Sequence, residues 1–381
     1  MSSNAESPTP ALPQNAIERR GTGLVAVDPH RVADGYTLFT PIAGAGEVYL
    51  IDNGGEVVHT WHAPYPPGRH ARLLPNGNLL YQGKIDDHEP LFPIWGVYHG
   101  GVIAELEPDG TVLREVRHPR HHHDATLLAN GNLILATVEA LTPEQSALVV
   151  GGTPGTEANG NIVYGDVIVE IDWNGTVVWR WSAFEKLPLD EFALHSDFPR
   201  EHWPMANTVN ETADGDVIVG FRTASRVVRI SRETSEVNWT LGAPHVAQQH
   251  YPHELPNGNI LVFDNGTFRA GENFPYSRAV ELDPSTDTEV WTWQDNPPQN
   301  FYSPYMSSAQ RLPNGNTLIA EGSFGRIFEV DPDGLVVWEY IVPFFGAFAP
   351  GVGLNSSVGG NNSIFRAYKY GADEIPWLPR E

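Results

Sequence analysis

Apolar and polar residues alternate along most of the chain in short runs separated by turn residues. Such alternation predicts half-buried β-strands. One turn phrase, built on an Asn-Gly or Asp-Gly pair, separates several of these runs and occurs five times, at 74–78, 128–132, 212–216, 255–259 and 312–316. These pairs are favoured in two-residue hairpin turns. The pattern therefore predicts five β-hairpins.

A second phrase follows the hairpins. It consists of an alternating strand, a turn of Asp/Gly type and a strand that is often rich in Trp. The phrase occurs six times, at 48–61, 102–116, 167–181, 227–241, 279–293 and 327–340. A long repeat of this kind is typical of sheets stacked radially around an axis. The predicted fold class is all-β, a six-bladed β-propeller of four-stranded blades.

The two ends of the chain are expected to complete one blade together. A degenerate hairpin at 360–368 lacks its second phrase, and the phrase at 48–61 lacks its hairpin. The ring is therefore predicted to close by pairing N-terminal strands with the C-terminal blade. Residues 1–30 are polar and contain proline, so we expect a flexible N-terminal arm there. Residues 31–381 are expected to form a single propeller domain.

Composition limits the partners and the chemistry. The formal net charge is −24, which disfavours nucleic acid and anionic membrane surfaces as partners. The chain has no cysteine, which excludes a Cys nucleophile and a thiolate metal site. No apolar secretory segment is visible near the N-terminus, so a cytoplasmic location is expected, or a periplasmic or secreted one if a signal was trimmed. The sequence leaves the oligomeric state unknown.

Propeller geometry predicts which polar residues meet near the axis. The innermost strand of each blade runs down to the Asn-Gly turn and the next strand climbs back, so residues on either side of the turn converge at the top. Many of these positions carry imidazole, guanidinium or amide groups, and their positive charge favours an anionic ligand. The candidate site residues are His250, His123, Arg222, Asn207, His202, His122, His253, Lys84 and Ser307. Counting about seven residues back or about eight forward from the first Asn or Asp of each turn gives most of these positions, and this offset count also gives Arg69 and Asn265, to which we assign no role.

Other repeated residues are expected to be structural. Arg226, Arg278 and Arg326 open the third strand of three blades, and this regularity favours a role in joining blades. The repeated tryptophans of the outer strands are expected to pack between blades, since these strands lie far from the axis. The candidate site residues have structural alternatives too, because a histidine can cap a strand end and an arginine can form an outward ion pair.

Several phrases, taken in order, resemble the arylsulfotransferase family of bacterial propellers. The phrases are at 122–132, 221–230, 239–242, 249–250, 262–266 and 277–278. The resemblance spans about residues 35 to 371. It implies transfer of a sulfuryl group from a phenolic sulfate ester to another phenol through a sulfated histidine, with no nucleotide sulfate donor and no cofactor.

The resemblance also implies roles for individual residues. It makes His250 the nucleophile and gives activating and anion-holding roles to His123, Asn207 and Arg222. The chemistry is reasonable, because a neutral imidazole is nucleophilic without losing a proton. Arg222 offers a fork of donors matched to sulfate oxygens. Asn207 adds a neutral donor where charge develops, and His123 can act as a general acid towards the leaving phenolate.

One position departs from the family. The family has a second histidine two residues before the asparagine that matches Asn207, and this chain has Met205 there. That histidine normally holds the transferring group. His202 lies three residues further upstream and is the nearest substitute by sequence. The remaining candidates, His122, His253, Lys84 and Ser307, are expected to contact substrate.

Two other interpretations stay open. Converging imidazoles suit a Cu, Fe or Zn site with open coordination, and its ligands would be His123, His202 and His250, with His122 as the alternative to His123 and His253 as a further candidate. Such an enzyme would be a lyase or would oxidatively cleave an aromatic compound. The third interpretation is a non-catalytic ligand-binding propeller, because a fold does not fix a function. Aromatic residues of the long loops, such as Phe92 and Tyr98, favour a small aromatic molecule as the ligand in each case.

Overall fold

A computed structural model describes residues 21–86, 89–347 and 360–379. Six antiparallel sheets of four strands are arranged around one axis, and two of them carry a fifth strand, which is antiparallel in one and parallel in the other. The prediction of an all-β, six-bladed propeller is therefore confirmed. No helix in the described ranges is long and apolar enough to cross a membrane.

Each blade has strands a to d, ordered from the axis outward. Blade 1 consists of Ile364–Tyr370, Tyr36–Pro41, Glu47–Ile51 and Val57–His62. Blade 2 consists of Pro67–Leu73, Leu79–Lys84, Gly101–Leu106 and Val112–Arg117. Blade 3 consists of His121–Leu127, Leu133–Ala140, Tyr164–Ile171 and Val177–Ser182.

The other three blades follow in chain order. Blade 4 consists of Ala206–Glu211, Val217–Phe221, Arg226–Ile230 and Val237–Leu241. Blade 5 consists of His250–Glu254, Ile260–Asp264, Arg278–Asp283 and Thr288–Trp293. Blade 6 consists of Ser308–Arg311, Thr317–Glu321, Arg326–Val330 and Val336–Ile341.

Short elements lie in the loops between these strands. The α-helical turns are Trp95–Tyr98, Pro143–Ser146 and Ala183–Lys186, and the 3₁₀ turns are Pro298–Asn300, Gly322–Phe324 and Ala372–Glu374. Gly151–Thr153 pairs in parallel with Leu194–Pro199. His202–Trp203 runs parallel to strand c of blade 3, with His202 opposite Tyr164. This last pairing lies next to Asp166 of strand c, whose Oδ1 is 2.9 Å from His202 Nε2.

The ring closes in blade 1, as predicted. Strand a comes from the C-terminus and strand b from the N-terminus, with Tyr370 opposite Tyr36 and Lys369 opposite Thr37. The sharing differs from the expectation, because the C-terminal segment contributes one strand instead of a hairpin. The N-terminal segment contributes the other three strands. Closure therefore depends on a single C-terminal strand.

Part of the expected N-terminal arm belongs to the propeller. Gly23–Val27 pairs antiparallel with strand d of blade 6, placing Leu24 opposite Tyr340 and Val27 opposite Trp338. This strand is the fifth of its sheet. Within the predicted arm 1–30, residues 23–27 are thus ordered by backbone pairing. Residues 1–20 of the predicted arm lie outside the described residues.

The repeated turn phrase has a structural explanation in the blades. In blade 2, the side chains of Asn76 and Asn78 both donate hydrogen bonds to Glu105 Oε1, at 2.9 and 2.7 Å. Glu105 lies on strand c, so the carboxylate ties the a–b turn to the next strand. Glu170 and Glu281 receive the same pair of asparagines in blades 3 and 5. The phrase therefore specifies both the turn and the side chains that hydrogen-bond it to the glutamate of strand c.

The outer tryptophans pack between blades, as expected. Trp181 of blade 3 is 1% exposed and lies in one apolar cluster with Phe221 of blade 4. Trp293 of blade 5 contacts Phe328 of blade 6, with ring centroids 5.1 Å apart. The arginines behave differently from the expectation. Arg326 pairs with Glu321 of its own blade, so it joins strands within a sheet.

Arg366 fills the axis beneath the top of the ring. It extends from strand a of blade 1 and donates to Asp124 Oδ2 of blade 3 at 2.9 Å. The same guanidinium donates to the Asn207 carbonyl at 2.9 Å and to Thr208 Oγ1 at 3.0 Å, both in blade 4. Burial would raise the pKa of Asp124, but the charge of Arg366 holds it well below its usual range. This buried ion pair links the closing strand to the opposite side of the ring.

Arg366→Met should lower the free energy of unfolding by about 3–5 kcal/mol, because it leaves Asp124 charged and buried without its partner. Urea denaturation followed by circular dichroism measures this change. Lys186→Met is the matched control, since Lys186 and Glu236 form a surface pair at 2.6 Å. A surface pair contributes about 0–1 kcal/mol. Equal losses in the two variants would contradict the importance of the axial pair.

Candidate functional site

A cavity of about 320 Å³ lies at the top of the axis, where the innermost strands begin. Its polar lining comprises Arg69, Tyr98, His123, Arg222, His250, Tyr305, Asn361 and Ser363. Its apolar lining comprises Ile42, Ile94, Val97, Met205, Met306 and Phe365. The His123 and His250 rings lie 6.1 and 6.0 Å from the Phe365 ring, so the two histidines flank one aromatic side chain.

Irregular pairing at the top of the innermost strands aims these side chains at the axis. Strands a and b of blade 3 shift register between Leu135 and Thr137, and His123 on the opposite strand has φ 52°. Blade 5 shifts between His250 and His253, and blade 4 between Ala206 and Thr208. Bulges of this kind bend a strand and redirect its side chains. The cavity is built where regular strand pairing is interrupted.

His250 is held as a neutral imidazole with one fixed tautomer. Its Nδ1 lies 2.7 Å from Asn265 Oδ1, and the Asn265 amide is oriented by donating to Ser303 O and Met306 O at 2.8 and 3.1 Å. Nδ1 therefore carries the proton and Nε2 the lone pair, which accepts the Met306 N–H at 3.2 Å. Burial, and then the charge of Arg222, lower the pKa of His250 well below its usual value.

His123 presents a lone pair to the cavity as well. His122 Nε2 lies 3.0 Å from Asp166 Oδ1, where an N–H is favoured over a lone pair. His122 Nδ1 is then an acceptor, and His123 Nδ1–H donates to it at 2.8 Å. This leaves Nε2 of His123 unprotonated. Burial and the neighbouring charges of His122 and Arg69 lower the pKa of His123 well below its usual value.

Tyr98 connects the cavity to His202. The Tyr98 hydroxyl lies 2.9 Å from His202 Nδ1, and His202 Nε2 lies 2.9 Å from Asp166 Oδ1. The ring of Tyr98 also stacks on His123, with centroids 4.5 Å apart. Burial would raise the pKa of Asp166, but interactions with His202 and His122 lower it to about 2. One carboxylate oxygen thus lies within 3.0 Å of a ring nitrogen of each of two histidines behind the cavity wall.

Two guanidinium groups give the cavity its positive charge. Arg69 is 5% exposed and donates to Val97 O, while Arg222 lies over the Phe198 ring at 5.1 Å. Burial lowers the pKa of each arginine to about 10, since desolvation disfavours the charged form. Among the described residues, neither arginine forms an ion pair with a carboxylate. Both Nε atoms also lack a hydrogen-bond partner within the described ranges. The arrangement suits an anionic ligand.

The structure brings three of the predicted catalytic residues into the cavity wall. These are His250, His123 and Arg222. His122 and His202 do not line the cavity. They form hydrogen bonds with His123 and Tyr98, which do line it. The offset count from the Asn-Gly turns was thus sufficient to locate the imidazoles that face the axis.

Four candidates are placed elsewhere. Asn207 is buried behind the wall, where its Nδ2 donates to Gln249 O at 2.7 Å. Ser307 Oγ donates to Ser303 Oγ at 2.9 Å, Lys84 Nζ donates to Gly96 O at 2.7 Å, and His253 stacks on Tyr251. None of the four lines the described cavity. An offset count assumes regular pairing, whereas the bulge beside Asn207 turns alternate residues away from the axis.

Two contributors have no role assigned from the sequence, and a third, Tyr98, is expected only as part of the aromatic surface of the long loops. Arg69 and Asn265 were given by the offset count, but no motif set them apart from structural residues. Tyr98 comes from the long loop between strands b and c of blade 2, and its position depends on how that loop folds over the axis. The repeat carries no signal for it.

The predicted metal ligands do not form one group. Among the described residues, the histidine and acidic side chains whose ligand atoms lie within 4.8 Å of one another are His122, Asp166 and His202. His122 and His202 belong to the predicted set, His122 as the alternative to His123. His123 and His250 both line the cavity, 6.1 and 6.0 Å from the Phe365 ring. A transition-metal cofactor under the metal interpretation stays a prediction.

Comparisons with known proteins identify the family. The sequence model described as arylsulfotransferase (ASST) matches residues 70–342, well over half of the chain. The chain belongs to the arylsulfotransferase family. The resemblance inferred from the sequence phrases is thereby confirmed. No curated protein matches the chain significantly.

Three solved structures are similar to this chain at low sequence identity, of which the first supports the fold alone and the other two carry no argument. A protein of unknown function from Bacteroides caccae is 15% identical, with a TM-score of 0.51, and the match covers 81% of this chain and 94% of that one. Virginiamycin B lyase from Staphylococcus aureus is 11% identical, with a TM-score of 0.44 and 85% coverage of each chain. Hydrazine synthase from Kuenenia stuttgartiensis is 14% identical, with a TM-score of 0.46, covering 79% and 74%.

The buried histidines of this arylsulfotransferase-family chain predict loss of stability in mild acid. Burial lowers the pKa of His70 and His253 to about 4 and that of His121 to about 3. Unfolding returns each to an ordinary pKa, so the unfolded state binds more protons and the free energy of unfolding rises with pH.

We expect this free energy to fall as pH drops below about 6.5, by about 1.4 kcal/mol per pH unit for each such histidine. Urea midpoints measured at several pH values between about 7 and 4 test this expectation. A constant free energy over that interval would show that these imidazoles are not held neutral.

Proposed function

We propose that this protein transfers a sulfuryl group from an aryl sulfate to a phenol, with His250 as the covalent nucleophile. The observation that carries the proposal is a neutral imidazole, protonated on Nδ1, in the wall of a cavity that also holds two guanidinium groups with no carboxylate partner among the described residues. The Nε2 lone pair accepts the Met306 N–H at 3.2 Å, and this hydrogen bond must break before Nε2 attacks sulfur. The guanidinium groups can hold the sulfate oxygens.

The first half-reaction forms a sulfated histidine. His250 Nε2 attacks the sulfur, and the bond from sulfur to the phenolic oxygen breaks, releasing a phenolate. The ring keeps its proton on Nδ1 and becomes cationic. Asn265 Oδ1, 2.7 Å from Nδ1, stabilises this N–H. Negative charge on the sulfuryl and phenolic oxygens shifts in the transition state. Arg69 and Arg222 balance this charge, because both guanidinium groups are desolvated and already in place.

The second half-reaction needs a base for the acceptor phenol. The acceptor oxygen attacks sulfur, the bond from sulfur to His250 Nε2 breaks, and the phenolic proton must leave. His123 Nε2 carries a lone pair in this hydrogen-bond arrangement, and His123 lines the same cavity as His250. We assign His123 as the group that takes this proton. His123 then returns this proton to the phenolate that leaves in the next first half-reaction. This return is the general-acid role that the resemblance implies for His123.

The proposal also accounts for the departure from the family at Met205. Met205 lines the cavity, and Arg222 Nη1 lies 4.0 Å from its sulfur. Methionine cannot hold a sulfate oxygen as a histidine does. Arg69 lines the same cavity from blade 2 and has donor capacity that the described residues do not use. We propose that Arg69 supplies the charge that the missing histidine provides elsewhere in the family.

The cavity favours a small aromatic donor. About 320 Å³ lies at the lower end of the range for small-molecule sites. Ile94, Val97 and Phe365 offer an apolar surface for a ring next to the charged groups. We propose a single-ring phenolic sulfate as the donor class and a phenol of similar size as the acceptor.

His250→Ala should abolish turnover of 4-nitrophenyl sulfate in the presence of an acceptor phenol, because the covalent intermediate cannot form. His253→Ala is the matched control, since His253 lies on the same strand but does not line the cavity. The control should keep near wild-type activity. Full activity in His250→Ala would reject the nucleophile assignment.

Mass spectrometry gives an independent reading of the same step. Wild-type protein incubated with 4-nitrophenyl sulfate alone and quenched should show one added SO₃ group on the peptide that contains His250. The modification should be absent from the His250→Ala protein and should disappear when acceptor phenol is added. Turnover without any modified peptide under these conditions would contradict a covalent route.

Arg69→Met and Arg222→Met should each reduce kcat/KM for the aryl sulfate. Hydrogen bonds to charged groups contribute about 1.5–3 kcal/mol, which corresponds to roughly 10- to 150-fold. Arg72→Met is the control, because Arg72 lies on the same strand as Arg69 and donates to Thr126 instead of facing the cavity. An Arg69→Met enzyme with wild-type kcat/KM would show that Arg69 does not replace the family histidine.

A further inference from the structure

Three ligand-type atoms converge behind the cavity wall. His122 Nε2 lies 3.0 Å and His202 Nε2 lies 2.9 Å from Asp166 Oδ1, and the three atoms are all within 4.8 Å of one another. The three side chains are 0–1% exposed. None of them lines the described cavity. The proposed sulfuryl transfer therefore makes no direct use of this group.

One of these atoms has an unmet bonding capacity. Among the described residues, His122 Nε2 has no hydrogen-bond partner, even though it is 3.0 Å from Asp166 Oδ1. The distance is short enough for a hydrogen bond, but the ring is not aligned for one. A fully buried ring nitrogen that approaches a carboxylate out of line needs an explanation. A common metal ion would explain this approach, because two imidazole nitrogens and a carboxylate oxygen would then converge as its ligands.

We propose that His122, His202 and Asp166 bind one divalent transition-metal ion, with zinc as the best match. Two imidazoles and a carboxylate are ligands that Zn²⁺ accepts readily, whereas Mg²⁺ and Ca²⁺ prefer sets of oxygen atoms. The site shares His122 and His202 with the metal centre expected from the sequence, but Asp166 takes the place of His250 and none of the three ligands lines the described cavity. Three protein ligands leave the fourth position of a tetrahedral Zn²⁺ to water.

The surroundings hold each ligand in place. His202 Nδ1 is 2.9 Å from the Tyr98 hydroxyl, and His122 Nδ1 is 2.8 Å from His123 Nδ1. Asp166 Oδ2 accepts the Ala206 N–H at 2.8 Å. Metal-binding histidines typically use their second ring nitrogen in this way, and such partners fix ring orientation. The geometry that a metal site requires around its ligands is thus already present.

Metal binding at this site would reverse the hydrogen bonds that lead to the cavity. When a metal occupies Nε2 of His122, the ring proton is on Nδ1 and donates to His123 Nδ1, so the His123 proton moves to Nε2. In the same way His202 Nδ1–H donates to the Tyr98 oxygen, which frees the Tyr98 hydroxyl proton. Both changes are tautomer shifts that release no net proton from the protein.

The consequence is a change in what the cavity offers an anion. Without metal, His123 presents a lone pair and Tyr98 donates away from the cavity towards His202. With metal, His123 Nε2–H and the Tyr98 O–H become two further donors beside Arg69 and Arg222. We infer that the ion acts as a positioning element that increases donor capacity in the cavity. Binding of the ion itself does not depend on the proposed function.

The direct test is metal stoichiometry on untagged, full-length protein. Protein treated with a chelator and then with excess Zn²⁺ is desalted and measured by elemental analysis. We expect one zinc per chain, and with Co²⁺ the visible absorption of a nitrogen- and oxygen-ligated ion. His202→Gln and Asp166→Asn should each weaken Zn²⁺ binding by more than the roughly 100-fold that loss of an outer partner costs.

The matched control is His253→Gln, which changes a histidine outside the cluster and should keep one zinc. Circular dichroism establishes that each variant is folded, and a misfolded Asp166→Asn leaves His202→Gln as the deciding variant. Wild-type protein that retains no zinc after desalting would overturn the proposal. Zinc binding of equal affinity in His202→Gln and wild type would overturn it as well.

Nitrogen-15 NMR of histidine-labelled protein tests the tautomer shift separately from binding. The His123 resonances, assigned with a His123→Gln variant, should show the Nδ1–H form in metal-free protein and the Nε2–H form after one equivalent of Zn²⁺. The His250 tautomer should stay Nδ1–H, because Asn265 fixes it. One bound zinc with no change at His123 would refute the positioning role while leaving the metal site in place.

Discussion

The buried pair of Arg366 and Asp124 is the interaction on which the rest of the propeller depends. A ring built from one chain must be closed somewhere, and here a single C-terminal strand does so. Its guanidinium reaches across the axis to blades 3 and 4. Because both side chains of the pair are fully buried, loss of one partner leaves a charge that the interior cannot solvate. The strand that closes the ring is thereby also tied to the inner strands that carry the site.

The site is a consequence of interrupted strand pairing at the top of this ring. Regular inner strands would alternate their side chains and fill the axis, whereas the bulges turn His123 and His250 to face one cavity. The walls then keep the imidazoles neutral by burial, and the cavity keeps its charge in Arg69 and Arg222. Neutral imidazoles lie beside guanidinium groups that have no carboxylate partner in the part of the chain that the structure describes. An anionic ester requires this arrangement.

Much of the fold could be predicted from the sequence, because the repeat is local. The Asn-Gly phrase specifies a hairpin and its Glu anchor within one blade, so each copy is informative alone. The family could be recognised for the same reason. The site was predicted only in part. His250, His123 and Arg222 follow from counting along strands, but Asn207 does not reach the cavity, because a bulge beside it changes the direction of its side chain.

The sequence by itself determined the number of blades, the closure of the ring by its two ends and the family, because these depend on hairpins and phrases that repeat along the chain. Tertiary structure decided which imidazoles line the cavity and which lie next to Asp166 behind the cavity wall. It also placed Tyr98 and Arg69 in the wall. These outcomes depend on loop paths and on bulges between strands. Such features arise from packing across blades, and no local pattern in the chain encodes them.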